Sequence, residues 1–360
     1  MKGFSIYLGQ QSEEEQYHTL KKMKDAGFQS AFTSLHIPED HPEMYRNALG
    51  VLARQVREFD LELFADISPE SLSHLGLSWD NADDLLKWGI SGLRADYGID
   101  PSLLVSLSKQ MTIALNASTL DESMLQGYIR KGLCLENIEA WHNFYPRPET
   151  GLSLTDIEQK NRMSHSYGIR TAAFVPGDDL KRGPVHFGLP TAEHNRRINP
   201  FAATLELWRK GNTDKVLIGD PAISEKSLES FKTFEDGIVP IMIDMKPLEN
   251  DAIKGLILQP HQQRLDAARD VIRSETSRPY AQREKMMIPA SGGEPRPIGS
   301  ITIDNKHYGR YQGELQITKT DLPRNEAVNV IGQVLTGDLP LLHVLRKGEK
   351  FTFTPVEARN

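Results

Sequence analysis

The run Phe4-Ser5-Ile6-Tyr7-Leu8-Gly9-Gln10-Gln11-Ser12-Glu13-Glu14-Glu15 is a short apolar strand that passes through a polar turn into the start of a helix. Ser12 and Glu15 have the spacing of a capping box, in which the Ser oxygen and the Glu carboxylate satisfy free amides of the first helical turn. Tyr17, Leu20 and Met23 supply the buried stripe, and Gly27 supplies the left-handed stop. The turn Gly9-Gln10-Gln11-Ser12 is not the glycine-rich phosphate loop with which an open doubly wound sheet usually begins.

The same unit recurs. Strand-like runs follow at Ser30–Ser34, Glu62–Asp66, Gly92–Asp96, Thr112–Asn116, Asn137–Trp141, Arg170–Phe174 and Lys215–Gly219. Helical patterns lie between them; Tyr45, Leu49, Leu52, Val56 and Phe59 are one such stripe, and a last helix is expected near Glu225 to Asp236. Alternating strands and helices imply parallel strands. Eight such units predict an α/β fold, a (β/α)8 TIM barrel over residues 1–240. Beyond it, Ser300–Asp304, Gly313–Ile317, Asn329–Val334 and Lys350–Phe353 read as strands of a smaller β-rich domain over 241–360, with Arg273 to Arg296 as a linker or long loop.

The bulk composition narrows the function. Among 360 residues, 42 Lys and Arg stand against 49 Asp and Glu, a net charge of −7. An acidic chain without a basic stripe argues against nucleic acid as a partner. One cysteine, Cys134, rules out an internal disulfide and suits a reducing compartment. The start runs straight into a strand, with no secretory h-region or long apolar run, so the expectation is a cytoplasmic protein without a membrane partner.

In barrels of this kind, chemistry comes from the strand ends and the loops after them. His36 follows the second strand; Asp66, Asp96 and Asn116 end the next three. Glu139 lies within the sixth, and His142, Asn143, Tyr145 and Arg147 follow it. Asp66, Asp96 and Glu139 are thus three carboxylates expected at one mouth. Paired carboxyls are what glycoside cleavage requires, one to protonate the leaving oxygen and one to stabilise or attack the sugar. Arg94, Arg147, Arg182 and Arg196 are candidates for holding an anion, and Arg94 shares a strand face with Asp96. No His-x-x-x-His or paired-Cys spacing suggests a metal, and no cofactor is expected.

Several motifs resemble one bacterial family. They are Thr33-Ser34-Leu35-His36-Ile37-Pro38-Glu39, Ala65-Asp66-Ile67-Ser68-Pro69, Leu93-Arg94-Ala95-Asp96-Tyr97-Gly98, His142-Asn143-Phe144-Tyr145-Pro146-Arg147-Pro148, Arg182-Gly183-Pro184 and Tyr308-Gly309-Arg310-Tyr311-Gln312-Gly313-Glu314. The family includes the 6-phospho-N-acetylmuramidases. The resemblance implies a barrel followed by a cyclophilin-like β domain. It also implies hydrolysis of 6-phospho-N-acetylmuramyl-β-1,4-N-acetylglucosamine, a phosphorylated amino-sugar disaccharide, during recycling of cell-wall sugars. On that expectation Glu139 is acid or nucleophile with Asp96 or Asp66 as partner. Asn116, His142, Asn143 and Tyr145 hold sugar groups, and Arg147 with Arg94 or Arg182 clamps the phosphate. Rival readings are a lyase or isomerase of another phosphosugar, a substrate-assisted glycosidase, and a non-enzymatic sugar-binding or surface interaction protein. Tyr308 and Arg310 could reach over the mouth or face a second subunit of a homo-oligomer.

Overall fold

The structure is a computed structural model that describes residues 1–35, 42–67, 72, 78, 84–95, 99–247 and 251–356, with backbone alone at 42 and 43. It divides into two compact units, Met1–Leu228 and Glu229–Asn360.

In the first unit, eight parallel strands close into a barrel in sequence order: β1 (Lys2–Ser5), β2 (Ser30–Ser34), β3 (Glu62–Ile67), β4 (Gly92–Ala95), β5 (Thr112–Asn116), β6 (Ile138–Trp141), β7 (Arg170–Val175) and β8 (Lys215–Ile218). Helices stand between them, several started by side-chain caps. Ser12 and Glu15 form the expected capping box, and Asp100, Asp121, Ser153 and Asn199 cap others. The first strand begins earlier than its apolar run suggests. Its ladder pairs Lys2 to Phe4 with β8 and Gly3 to Ser5 with β2, and Tyr7 then donates from its hydroxyl to the Gly219 carbonyl at 2.5 Å.

Side chains alternate in and out along each strand, so the interior fills in layers. Phe32, Phe64, Ala114, Trp141, Ala172, Phe174 and Leu217 form its buried apolar centre. The Phe64 and Trp141 rings are 4.6 Å apart, and those of Phe32 and Phe174 are 5.3 Å apart. Gly92 makes room for this cluster: a Cβ there would fall 2.4 Å from the Phe64 ring.

The second unit is built on a seven-stranded sheet. Its strands are β9 (Ile238–Met245), β10 (His261–Gln262), β11 (Val271–Arg273), β12 (Ser300–Asp304), β13 (Leu315–Thr318), β14 (Val328–Val334) and β15 (Lys350–Pro355), in the order β10-β15-β9-β14-β12-β13-β11. All neighbours are antiparallel except β9 and β15. The stretch expected as a linker from Arg273 holds the end of β11 and a helix, Ser277–Arg283. Its Arg, Ser and Pro content hid that helix, whose Ser277 and Ala281 are buried. No helix among the described residues is long and apolar enough to cross a membrane.

Candidate active site

At the carboxyl end of the strands, β3 and β4 place Asp66 opposite Arg94. Arg94 Nη1 donates to Asp66 Oδ1 at 3.0 Å, and Arg94 Nη2 donates to Asn143 Oδ1. Asp66 and Arg94 are 5% and 4% exposed. A charge so deeply buried persists only when paired and hydrogen-bonded. Arg94 Nε and the Ser34 hydroxyl, on the strand beside Asp66, have no hydrogen-bond partner among the described residues. The three expected residues Asp66, Arg94 and Asn143 are therefore one cluster, with polar capacity to spare.

Glu139 is elsewhere. It accepts from Lys215 Nζ at 3.0 Å, from Trp141 Nε1 at 2.6 Å, and pairs with Arg170 at 3.0 Å. The same Lys215 nitrogen reaches Glu62 at 2.8 Å. Glu62 and Lys215 are the first residues of β3 and β8. Glu62 precedes Asp66 by four residues, about 13 Å along a strand. Glu139 thus belongs to an ion-pair layer at the amino end, beneath the aromatic core, and not to the mouth where it was expected. Lys215 is 1% exposed and lies 4.3 Å from the Phe64 ring centre, a further cation–π contact. A cavity opens at that end, lined by Glu62, Ser91, Thr112, Glu136, Glu139 and Arg170.

His142 also departs from expectation. One residue past Trp141 and one before Asn143, it faces outward by strand alternation and bonds Asn161 at 2.8 Å on the helix Leu154–Ser166. It is fully buried, and burial lowers its pKa to about 4. A neutral histidine behind the strand cannot hold a sugar in the mouth.

The other expected residues sit in the loops. Asn116 ends β5 and accepts from the Ser118 amide at 3.0 Å. Tyr145 is half-buried and Arg147 exposed on the loop after β6. Arg196, a candidate anion holder, is spent on that loop instead. It makes two bonds to Glu193, at 2.7 and 2.6 Å, and donates to the Tyr145 carbonyl at 3.0 Å and the Arg147 carbonyl at 3.2 Å. Those bonds, with backbone amides, hold Glu193 down at about 2. The guanidinium of Arg182 lies 4.1 Å from the Tyr7 ring centre and 6.0 Å from that of Phe144. Burial pushes the Tyr7 hydroxyl up, against the pull of Arg182. Asp96 and His36 lie outside the described residues. Sequence reading missed Lys215, Tyr7 and Phe144; Tyr7 two residues past Ser5 on the inward face was the one available signal. Among the described residues, no three His, Cys, Asp or Glu side chains are grouped to hold a metal ion.

Two family models match the chain in tandem: the N-terminal part of 6-phospho-N-acetylmuramidase over residues 2–233, and its C-terminal part over 239–354. A conserved protein of unknown function from Enterococcus faecalis is 39% identical, with a TM-score of 0.88, over 99% of this chain and 96% of that one. An uncharacterized B. cereus protein is 23% identical, with a TM-score of 0.77, over 98% and 99%. No curated protein matches.

Proposed function

We propose, from the premise that the chain belongs to the 6-phospho-N-acetylmuramidase family, that its barrel hydrolyses 6-phospho-N-acetylmuramyl-β-1,4-N-acetylglucosamine. The products are N-acetylglucosamine and N-acetylmuramic acid 6-phosphate. The observation that carries this reading is the buried Asp66–Arg94–Asn143 cluster at the carboxyl end of the strands. A glycosidase needs a carboxylate to face the cationic sugar carbon, and Asp66, held by a guanidinium, is suited to that part. Asp96, two residues after Arg94 in sequence, is the proposed second carboxyl, which protonates the leaving oxygen. Asn143, Asn116, Tyr145 and His36 are proposed to hold sugar hydroxyls and the N-acetyl group. Arg182 and Arg147 are proposed to hold the phosphate, since guanidinium forks match its oxygens. The reaction would serve recovery of cell-wall sugars in the cytoplasm.

The test is incubation of the protein with the disaccharide and its unphosphorylated twin, with products read by mass spectrometry. N-acetylglucosamine should appear far faster from the phosphorylated substrate than from its twin. Equal cleavage of both would remove the phosphate from the reading, and cleavage of neither would end it.

A further inference from the structure

The loop after β7 is gathered by one carboxylate. Asp220, just past β8, is 1% exposed. Its Oδ2 accepts from the Gly177 amide at 2.9 Å and the Leu189 amide at 3.1 Å, and its Oδ1 accepts from the Arg182 amide at 2.9 Å. Lys181 Nζ is 4.0 Å from Oδ2 and also donates to the Gly177 carbonyl. Three amides of the loop after strand seven converge beside the end of strand eight, the place where barrels commonly offer a cradle to a phosphate. Here a fixed side-chain anion already fills it. The neighbouring helix start is filled likewise: Asp178 accepts from the Ser224 amide at 2.8 Å and from the Ser227 hydroxyl at 2.7 Å. The two loops also close tightly on each other, since a Cβ on Gly177 would lie 2.2 Å from the Ala222 carbonyl oxygen.

The tie at the Arg182 amide has a consequence at its other end, where the guanidinium rests on Tyr7 and Phe144. We propose that Asp220 is a positioning residue: by occupying the amide cradle it excludes a substrate phosphate from that place and fixes Arg182 over Tyr7 as the group that reads the phosphate. This rests on the functional reading above and deepens it.

The experiment measures kcat/KM on the phosphorylated and plain disaccharides for wild type, Asp220→Asn, Arg182→Ala and the double variant. Both single variants should lower the preference for the phosphorylated sugar at least tenfold, through KM. The double variant should fall no further than Arg182→Ala, because coupled residues are not additive. Gly177→Ala, which wedges the loop off an intact Asp220, should lower the preference in the same way. An Asp220→Asn protein that slows on both sugars equally, or a double variant in which the losses multiply, would overturn the proposal. Calorimetry with N-acetylmuramic acid 6-phosphate and N-acetylmuramic acid separates the two failures. If wild type cleaves neither disaccharide yet binds the phosphosugar in an Asp220- and Arg182-dependent way, positioning stands and glycosidase function falls. If wild type binds neither sugar, both fall.

Discussion

Arg94 carries a charge that the barrel interior cannot solvate, and Asp66 and Asn143 make its burial tolerable. Removing one partner of such a pair typically costs about 3–5 kcal/mol, because the other charge is left buried and alone. Arg94→Ala should therefore unfold at markedly lower denaturant than wild type. Arg94→Lys should fold but lose at least tenfold in kcat/KM, because an ammonium cannot bridge Asp66 and Asn143 as a planar fork does. Equal activity of the Lys variant would mean that the fork does not shape the site. Asp66 and Arg94 were legible in the sequence, because both stand on inward positions at the late end of their strands. Glu139 was misplaced because alternation reports the face of a strand but not the height along it. Glu139, Trp141 and Asn143 share one face, yet the first serves the amino end and the last the mouth.

At the scale of elements, β6 and the helix after it meet through His142. The histidine is neutral in the fold, with its pKa lowered to about 4 from the usual 6.5. Below 6.5 the unfolded chain takes up a proton there and the folded chain does not, so stability falls as pH drops from 6.5 and levels off near 4. His142→Gln removes that dependence along with some packing. In urea unfolding at pH 7.5 and pH 5, the stability gap between wild type and His142→Gln should narrow by about 2 kcal/mol at the lower pH. A constant gap would show that His142 does not titrate as a buried group. Strands and helices of the barrel were largely readable, since apolar runs alternate with side-chain caps such as Ser12, Asp121 and Ser153 and with glycine stops such as Gly27, Gly132 and Gly168. In the second unit, β9 and the helix Ser277–Arg283 were not. Pro240 interrupts the pattern of the first, and Arg and Pro mask the short buried face of the second.

At the scale of the whole molecule, the family match runs through both units, and the barrel has two chemically different ends. One is an ion-pair layer of Lys215, Glu139, Glu62 and Arg170; the other presents Asp66, Arg94, Asn143 and Arg182. Between them lie the aromatic rings of the core. Catalysis is proposed to belong to the second end. Kinetics of Asp66→Asn and Glu139→Gln on the phosphorylated disaccharide, with thermal unfolding of each, test it most directly. Asp66→Asn should lower kcat by on the order of 10²–10³ in the folded protein, and should also lose a few kcal/mol of stability because Arg94 is left without its counter-charge. Glu139→Gln should keep kcat within about twofold and lose a few kcal/mol of stability, the expected effect of a broken buried pair. The reverse result, a dead Glu139→Gln and an active Asp66→Asn, would contradict it.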